Sequence, residues 1–285
     1  MAPLIAPIRA VLFDMDGLLI DSEGIYTRVV NEMLAPYGKQ QTWAIKANLM
    51  GKPERAATLT LLSSLWPSPN STPQNEEVAD DCPFSIDTFL ADRNHVLEAA
   101  FRSVPAMPGA QRLVTHLAKH NVPICVATGS KRKNYDIKTN NLPAIFAPFG
   151  KRIVCGDDPR LKRGKPFPDI FLLAAREGLL EEQQTSDRLG KDWTDGIRMY
   201  GEEHDAGGLA GGEAQVLVFE DAKPGVAAAK AAGMHVVWVP DPNLRALYPA
   251  EELGASQTID SLLDFDPTAW GLPPFDDDDD DDDRA

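Results

Sequence analysis

The sequence Ile8-Arg9-Ala10-Val11-Leu12-Phe13-Asp14-Met15-Asp16-Gly17 is a largely apolar run that ends in two acidic residues and a glycine. A run of this kind is typical of a buried strand that ends in a turn. The carboxylates of Asp14 and Asp16 therefore leave the end of a strand two residues apart. Two acids this close repel each other unless a cation or a shared proton relieves them, so the pair favours a hard-metal site or a nucleophile beside an acid/base. A calcium loop or a plain turn is the simpler alternative.

From Pro108 onward the sequence alternates between helical and strand-like segments. Each later strand follows a helix, and the predicted strands are Val122–Ala127, Arg152–Cys155, Gln215–Phe219 and His235–Val239. The alternation predicts an α/β fold with a Rossmann-like, doubly wound parallel sheet covered by helices on both faces. In such sheets ligands bind outside the carboxyl ends of the strands, so the residues that follow each strand are the candidates for a site.

The segment between the first strand and Pro108 has helical periodicity and no strand-like run. It predicts an inserted all-helical domain over residues 23–103. The α/β core is then expected to combine residues 1–22 with residues 104–270.

Two other segments depart from the alternating pattern. Residues 181–213 are rich in Gly, Glu and Asp and have little periodicity, which predicts a mobile surface insertion. The run Asp276–Asp283 predicts a solvated, disordered acidic tail over residues 271–285, because blocks of like charge rarely fold. An exposed loop is expected at Pro67–Asn75.

The composition restricts the class of function. Apolar residues make up 43% of the 285 residues, which is enough for a sizeable core. The net charge is -15 and no basic stripe is present, so binding to nucleic acid is not expected. No apolar run approaches the roughly 18 residues of a membrane span, and the proline-broken start lacks the features of a signal peptide. We therefore expect a cytoplasmic protein with neither a nucleic-acid nor a membrane partner. A monomer is a further expectation, which these observations do not address.

Thr128-Gly129-Ser130 follows the second predicted strand and precedes a helix. The hydroxyl of Thr128 can donate a hydrogen bond, Gly129 lets the backbone approach a ligand, and the start of the helix offers free N–H groups. This arrangement suits a phosphate group. A plain helix N-cap at Ser130 is the alternative.

Two further strand ends carry charged side chains. Lys165 lies in Gly164-Lys165-Pro166-Phe167-Pro168-Asp169, and a lysine held by flanking Gly and Pro can neutralise a phosphate or crowded carboxylates. A surface lysine in a turn is the alternative. Glu220-Asp221 follows the fourth strand. Together with Asp14 and the backbone oxygen of Asp16, these two acids can give a hard divalent cation its oxygen ligands.

In combination, the four motifs resemble those of the haloacid dehalogenase superfamily of phosphohydrolases. The resemblance covers almost the whole chain except residues 66–83, residues 181–213 and the acidic tail, and the helical insertion resembles the cap domain of the family. The run from Asp14 to Glu23 is similar to the β-phosphoglucomutase-like branch. Within that branch the pseudouridine-5′-phosphatases are the most similar group, on the stretches Met50–Lys52, Gly156–Pro159, Gly164–Leu172, Val218–Met234 and Trp270–Pro273.

The resemblance implies a role for each residue of the strand ends. Asp14 is implied as the nucleophile that forms an aspartyl phosphate, and Asp16 as the acid that protonates the leaving alkoxide and then takes a proton from water. The residues implied to hold the phosphate are Thr128, Gly129, Ser130 and Lys165. The residues implied to hold Mg²⁺ are Asp14, Asp16, Glu220 and Asp221.

The choice of substrate is expected to depend on the helical cap domain, because closure of a cap over the site excludes water. Lys52 and Arg55 are the first candidates there, and solvated surface charges are the alternative. The resemblance implies a small phosphorylated metabolite, with pseudouridine 5′-phosphate as the first candidate. Glycerol 3-phosphate and 2-deoxyglucose 6-phosphate are alternatives, and so is a β-phosphoglucomutase-like phosphomutase.

Overall fold

A computed structural model describes residues 7–49, 52–67, 78–190, 192–199, 212–248 and 253–276. The chain divides into two compact units, one of Met1–Asp21 with Pro105–Ala285 and the other of Ser22–Val104. The first unit is called the core unit below, and the second is called the helical unit.

The core unit contains one parallel sheet of six strands. The strands are β1 (Ala10–Phe13), β2 (Ile124–Ala127), β3 (Ile153–Val154), β4 (Val216–Glu220), β5 (His235–Trp238) and β6 (Gln257–Thr258). Their order in the sheet is β3-β2-β1-β4-β5-β6, and every neighbouring pair is parallel. This confirms the predicted doubly wound α/β fold. The strand order reverses direction between β1 and β4, which is where open α/β sheets bind their ligands.

From Pro108 onward helices lie between the strands, whereas the described helices before that residue belong to the helical unit. In chain order they are α1 (Ser22–Leu34), α2 (Trp43–Leu49), α3 (Glu54–Leu65), α4 (Ile86–Ala100), α5 (Ala110–Lys119), α6 (Arg132–Thr139), α7 (Pro143–Phe146), α8 (Asp169–Arg176), α9 (Gln183–Leu189), α10 (Trp193–Gly196), α11 (Lys223–Ala231) and α12 (Pro242–Leu247). Within the described ranges, none of them combines the length and the apolar character that crossing a bilayer requires.

The central strand β1 is buried along its whole length. Val11 pairs with Ile124 of β2 on one side and with Leu217 of β4 on the other. Phe13, the last residue of β1, stacks on Phe219 with ring centroids 5.1 Å apart. Buried aromatic pairs of this kind add to the stability of the core. They fix the end of β1 against the end of β4, which is where the acidic residues of both strands begin.

The helical unit has a hydrophobic core of its own. Leu61 and Leu62 of α3 and Phe89 of α4 are buried in one apolar cluster with Val30 and Leu34 of α1. Helix α4 begins with a capping box, in which the Ser85 and Thr88 side chains each bond the other residue's backbone N–H. Most of the loop predicted between α3 and α4 lies outside the described residues.

Two short helices lie in the segment for which we predicted a mobile surface insertion. Helices α9 and α10 carry Leu189 and Trp193, which are buried together with Ile197. The Trp193 indole donates to a backbone carbonyl of α8 at 2.6 Å. The prediction of a long loop without periodicity is therefore wrong for these two helices, because a few apolar residues are buried against the core. The predicted mobility of the insertion is not tested. Residues 200–211 lie outside the described residues.

The C-terminal segment 271–276 packs against helix α5, so the prediction that a disordered tail begins at residue 271 is wrong. The His116 ring nitrogen Nε2 donates to the Pro273 carbonyl at 3.0 Å. The Arg112 guanidinium lies 3.9 Å from the centroid of the Phe275 ring. This segment lies at the start of the predicted tail, and its apolar residues contact α5.

Asp276 adds contacts between the C-terminal segment and the end of α5. Its carboxylate lies 2.7 Å from the Lys119 ammonium and 3.2 Å from Nε2 of His120. Asp276, His116 and His120 are close enough to share a metal ion. The Lys119 ammonium and the Pro273 carbonyl already occupy the Asp276 carboxylate and the His116 nitrogen, so we interpret the cluster as a structural clamp. The rest of the acidic run lies outside the described residues.

Candidate active site

The carboxyl ends of β1, β2 and β4 bring the predicted residues to one edge of the sheet. The backbone N–H of Asp14 donates to the Phe219 carbonyl at 3.0 Å, which continues the pairing of β1 with β4 beyond Phe13. The N–H of Thr128 donates to the Val154 carbonyl at 3.0 Å and does the same for β2 and β3. The side chains that follow these strands are therefore placed by regular sheet geometry.

Asp14, Glu220 and Asp221 form a cluster of three buried carboxylates. One oxygen of each lies within 4.8 Å of one oxygen of the other two. The Ala222 N–H donates to Glu220 Oε2 at 3.1 Å and orients that side chain. A Cβ at Gly225 would overlap the Glu220 carboxylate, so a larger residue there would displace that carboxylate from its position. The prediction that these three acids converge at one edge of the sheet agrees with this geometry.

Lys165 lies between two of these carboxylates. Its ammonium is 2.5 Å from an oxygen of Asp14 and 2.5 Å from an oxygen of Glu220. It also lies 4.9 Å from the centroid of the Phe171 ring. Burial lowers the pKa of Lys165, but the charges of Asp14 and Glu220 outweigh that effect and raise the pKa above its ordinary value. Lys165 is therefore protonated and positively charged. The alternative of a surface lysine in a turn is wrong, because the side chain is largely buried.

The carboxyl group of Asp14 is costly to ionise in this cluster. Burial, with smaller contributions from the charges of Glu220 and Asp16, raises its pKa from 3.8 to about 7 against the opposing effect of Lys165. Buried carboxylates that repel one another are relieved by a cation with oxygen-ligand preference. The three carboxylates therefore provide the oxygen ligands that a hard divalent ion prefers.

Asp16 has different partners from Asp14. Its oxygen Oδ2 accepts a hydrogen bond from the Ser130 hydroxyl at 2.6 Å. Its other oxygen, Oδ1, lies 2.5 Å from the ammonium of Lys138. The side chain of Asp16 is not part of the three-carboxylate cluster. The prediction that its backbone oxygen is a metal ligand is not tested by these contacts.

Lys138 is a residue of the site that is not predicted from the sequence. It lies in α6 and is fully buried. A lysine in a polar helix has the pattern of a solvated residue, which is why it gave no signal on its own. Residues three or four apart share a helix face, and Tyr135 and Thr139 of α6 are buried too. The spacing of Lys138 from Tyr135 is the signal that places it on the buried face.

The loop Thr128-Gly129-Ser130 is tightly built. The Ser130 N–H donates to the Thr128 hydroxyl at 3.0 Å, and Thr128 is fully buried. The Gly156 N–H donates to the Ser130 carbonyl at 2.9 Å, and a Cβ at Gly156 would overlap the carbonyl oxygen of Gly129. The alternative of a plain N-cap at Ser130 is wrong, because the N-cap residue of α6 is Lys131 and the Ser130 hydroxyl is donated to Asp16.

Lys52 and Arg55 belong to the helical unit. The Lys52 ammonium donates to the Thr60 hydroxyl at 2.9 Å, and Arg55 forms an ion pair of 2.5 Å with Asp87. Their proposed part in substrate binding is not tested by these contacts. Of the stretch around Lys52 quoted above, Met50 and Gly51 lie outside the described residues.

Comparison with known proteins identifies the family. The family model of the haloacid dehalogenase-like hydrolases matches residues 8–182. The chain belongs to this family. (DL)-glycerol-3-phosphatase 2 of Arabidopsis thaliana is 39% identical to this haloacid dehalogenase-like hydrolase over 273 residues, which cover 95% of this chain and 94% of that protein. A protein of Drosophila melanogaster named probable pseudouridine-5′-phosphatase is 33% identical, over 93% of this chain and 95% of that protein.

The solved structures agree with the fold. The crystal structure of β-phosphoglucomutase from Clostridium difficile matches this haloacid dehalogenase-like hydrolase with a TM-score of 0.57 at 20% identity, over 90% of this chain and 92% of that chain. The superfamily and the similarity to pseudouridine-5′-phosphatases are both confirmed. Because its named relatives are phosphatases, the protein is a phosphatase of this family that acts on small phosphorylated substrates.

Proposed function

We propose that this phosphatase hydrolyses a small phosphate monoester with Mg²⁺, through a phosphate group bound covalently to Asp14. The observation that supports this most is the position of Asp14. It follows the central strand, at the point where the strand order reverses, and lies 2.5 Å from Lys165 within a cluster of buried carboxylates. A carboxylate held this way, against a cation and away from solvent, is a candidate nucleophile.

The reaction then takes two steps. In the first, an oxygen of Asp14 attacks phosphorus, the bond from phosphorus to the alcohol oxygen breaks, and Asp16 gives its proton to that oxygen. In the second, Asp16 takes a proton from a water molecule, the water oxygen attacks phosphorus, and the bond to Asp14 breaks. Inorganic phosphate is released and both carboxyl groups return to their starting states.

The phosphate oxygens are held by groups that surround Asp14. Lys165 offers a permanent positive charge, since Asp14 and Glu220 keep it protonated. The Thr128 hydroxyl and the Gly129 N–H complete the set that we assign to phosphate binding. Ser130, which the sequence also places in this set, donates its hydroxyl hydrogen bond to Asp16 instead. Close contact of the two loops, in which the Gly156 N–H bonds the Ser130 carbonyl, keeps this set in place.

Asp14, Glu220 and Asp221 are the side chains that would hold Mg²⁺, with the backbone oxygen of Asp16 as a further ligand. The ion, when bound, offsets the repulsion between the anionic nucleophile and the phosphate and stabilises the charge of the transition state. The Trp238 indole donates to the carbonyl of Asp221 at 2.8 Å and fixes the backbone at this ligand.

The sequence identities with the named relatives change the order in which we propose the substrates. The glycerol-3-phosphatase is 39% identical and the pseudouridine-5′-phosphatase relative is 33% identical, both over more than nine-tenths of the chain. We therefore place glycerol 3-phosphate first and pseudouridine 5′-phosphate second, with 2-deoxyglucose 6-phosphate as a further ester. Lys52 and Arg55 of the helical unit remain the residues that we propose for discrimination among them.

A panel of phosphate esters tests the proposal. We expect phosphate release from glycerol 3-phosphate or pseudouridine 5′-phosphate with Mg²⁺, and loss of that activity in EDTA. The variant D14N should release none. Folded protein that hydrolyses no ester of the panel with Mg²⁺ contradicts the proposal. Isomerisation of β-glucose 1-phosphate that outpaces hydrolysis would establish a phosphomutase instead.

Location in the cytoplasm and a monomeric state are also part of this proposal. Cell fractionation tests the first and light scattering of the purified protein tests the second. We expect the protein in the soluble cytoplasmic fraction and a mass near the 31.1 kDa of one chain.

A further inference from the structure

Both oxygens of the Asp16 carboxylate are held by side chains of the core unit. Oδ1 lies 2.5 Å from the Lys138 ammonium, and Oδ2 accepts from the Ser130 hydroxyl at 2.6 Å. The Lys138 ammonium also donates to the Ser130 hydroxyl at 3.2 Å. Lys138 thus donates to both Asp16 and Ser130, and Ser130 donates to Asp16. A carboxylate bonded at both oxygens has little freedom to rotate.

Lys138 reaches Asp16 from a well-anchored helix. The Tyr135 ring, on the same buried face of α6, packs edge-on against Phe146 with ring centroids 5.8 Å apart. The Thr139 hydroxyl donates to the Tyr135 carbonyl at 2.9 Å. Side chains presented by packed helices hold a position more accurately than those on loops.

The burial of Lys138 is expensive and calls for an explanation. Its side chain is 0% exposed, whereas that of its partner Asp16 is 20% exposed. Desolvation of an ammonium costs more than an ion pair usually returns, so a buried pair is weak evidence for stability alone. Buried ionic pairs are also a means of fixing one geometry. Here the fixed group is the carboxylate that the proposed function uses as acid and base.

We infer that Lys138 is a positioning residue that holds the Asp16 carboxyl group in the position from which Asp16, once protonated, gives its proton to the leaving oxygen. The inference deepens the proposed function and rests on it. Lys138 contacts Asp16 and Ser130, whereas Lys165 contacts Asp14 and Glu220. The two lysines therefore serve different steps, and loss of Lys138 should matter only where the leaving group needs a proton.

Leaving-group dependence tests this inference. An alkoxide such as that of glycerol needs a proton to leave, whereas p-nitrophenolate is a stable anion and needs none. We expect K138M to lower kcat/KM for glycerol 3-phosphate about 100-fold and for p-nitrophenyl phosphate less than about threefold. The comparison uses kcat/KM because this constant covers only the steps up to release of the alcohol, and both esters share the later hydrolysis.

Three further variants complete the test. Lys133 lies in the same helix and is exposed, so K133M removes the same charge without touching Asp16 and should leave both rates unchanged. K138R keeps a positive charge and should restore part of the ratio between the two esters. If K138M does not fold, K138Q has nearly the length of lysine without its charge and carries the same expectation.

Three outcomes separate this inference from the proposed function. An equal fall for both esters in folded K138M, or no fall for either, overturns the positioning role. D16N should change the ratio in the same direction as K138M and further. If D16N leaves the ratio unchanged, the assignment of Asp16 as the acid fails, and that failure belongs to the proposed function.

Discussion

The Lys165–Asp14 pair and the Lys138–Asp16 pair lie at the same edge of the sheet but in different electrostatic surroundings. Asp14 shares its lysine with Glu220, and Asp221 is close to both acids. Its pKa is raised to about 7, chiefly by burial. Asp16 has a buried lysine on one oxygen and a neutral hydroxyl on the other.

The difference between the pairs explains how two aspartates two residues apart can have two roles. Asp14 lies among carboxylates that repel it, an arrangement that favours a bound cation, and the cation in turn favours the negatively charged form of the nucleophile. Asp16 is kept apart from that cluster by its own partners and remains available for proton transfer. Experiments on each pair therefore should give different results, and the following predictions are ordered from the largest effect to the smallest.

Loss of Lys165 should have the largest effect. K165M removes the charge that contacts Asp14 and, by our proposal, the phosphate, so kcat/KM should fall about 1000-fold. The fall should be the same for glycerol 3-phosphate and p-nitrophenyl phosphate, in contrast to K138M. Steady-state rates on both esters check this. Lys162 is an exposed lysine of the same loop, and K162M is the matched control.

A reversed pattern of the two variants would contradict the roles assigned to the two lysines. If K165M discriminates between the two esters and K138M does not, the division of roles between the lysines is wrong.

Neutralising the two aspartates should change stability in opposite directions. The folded pKa of Asp14 is raised, so its protonated form is favoured and the protein loses stability as pH rises from about 4 to about 7. D14N removes this loss and leaves Lys165 paired with Glu220. In EDTA at pH 8, D14N should be more stable than wild type, on the order of 3 kcal/mol. The gain should vanish below about pH 4.

D16N should instead destabilise the protein, because it removes the charged partner of the fully buried Lys138 ammonium. Urea unfolding in EDTA at pH 4 and pH 8 measures both effects. A loss of stability in D14N at pH 8, or a gain in D16N, would show that the surroundings of the two acids do not differ as described.

The stabilisation of the protein by Mg²⁺ should depend on the Asp221 side chain and not on the Asp16 side chain. We expect Mg²⁺ at about 100 times its Kd to stabilise the wild type by about 3 kcal/mol, measured as a rise in Tm that EDTA reverses. D221N should lose most of this rise, because Asp221 belongs to the three-carboxylate cluster. D16N should keep it, since its side chain is bonded elsewhere. Equal loss in both variants would argue against two separate sets of contacts.

The smallest effect is expected for Ser130. S130A removes the hydroxyl that bonds one oxygen of Asp16 and leaves the Lys138 contact in place. A neutral donor holds a carboxylate less strongly than an ammonium does. The ratio of kcat/KM between the alkyl and the aryl ester should fall about fivefold, equivalent to about 1 kcal/mol. A larger change than in K138M would contradict the leading part of the lysine.

The sequence contains a clear signal for one pair and a weak one for the other. Lys165 lies between Gly164 and Pro166 after a strand, and Asp14 follows a continuous apolar run. Both residues can therefore be recognised from their immediate sequence neighbours. Lys138 lies in a helix whose other residues are mostly polar, and its burial depends on Asp16, which is more than a hundred residues away. Only tertiary structure brings that partner close.

The fold shows the same division between local and tertiary signals. The buried strands are predicted because parallel strands read as continuous apolar runs. Helices α9 and α10 were missed because such short helices are not stable by propensity, and burial of Trp193 stabilises them in the folded chain. The contacts of residues 271–276 with α5 likewise depend on a partner far away in sequence.

Chemical trapping of the covalent phosphate tests the central claim most directly. D16N mixed with p-nitrophenyl phosphate and Mg²⁺ should release one equivalent of p-nitrophenolate quickly and hold the phosphate, because the water that removes it lacks its base. Quenching and reduction with borohydride converts an acyl phosphate to an alcohol, so mass spectrometry of the peptides should find homoserine at position 14. Homoserine at another position, or none in a sample that released p-nitrophenolate, would contradict the assignment of Asp14 as the nucleophile.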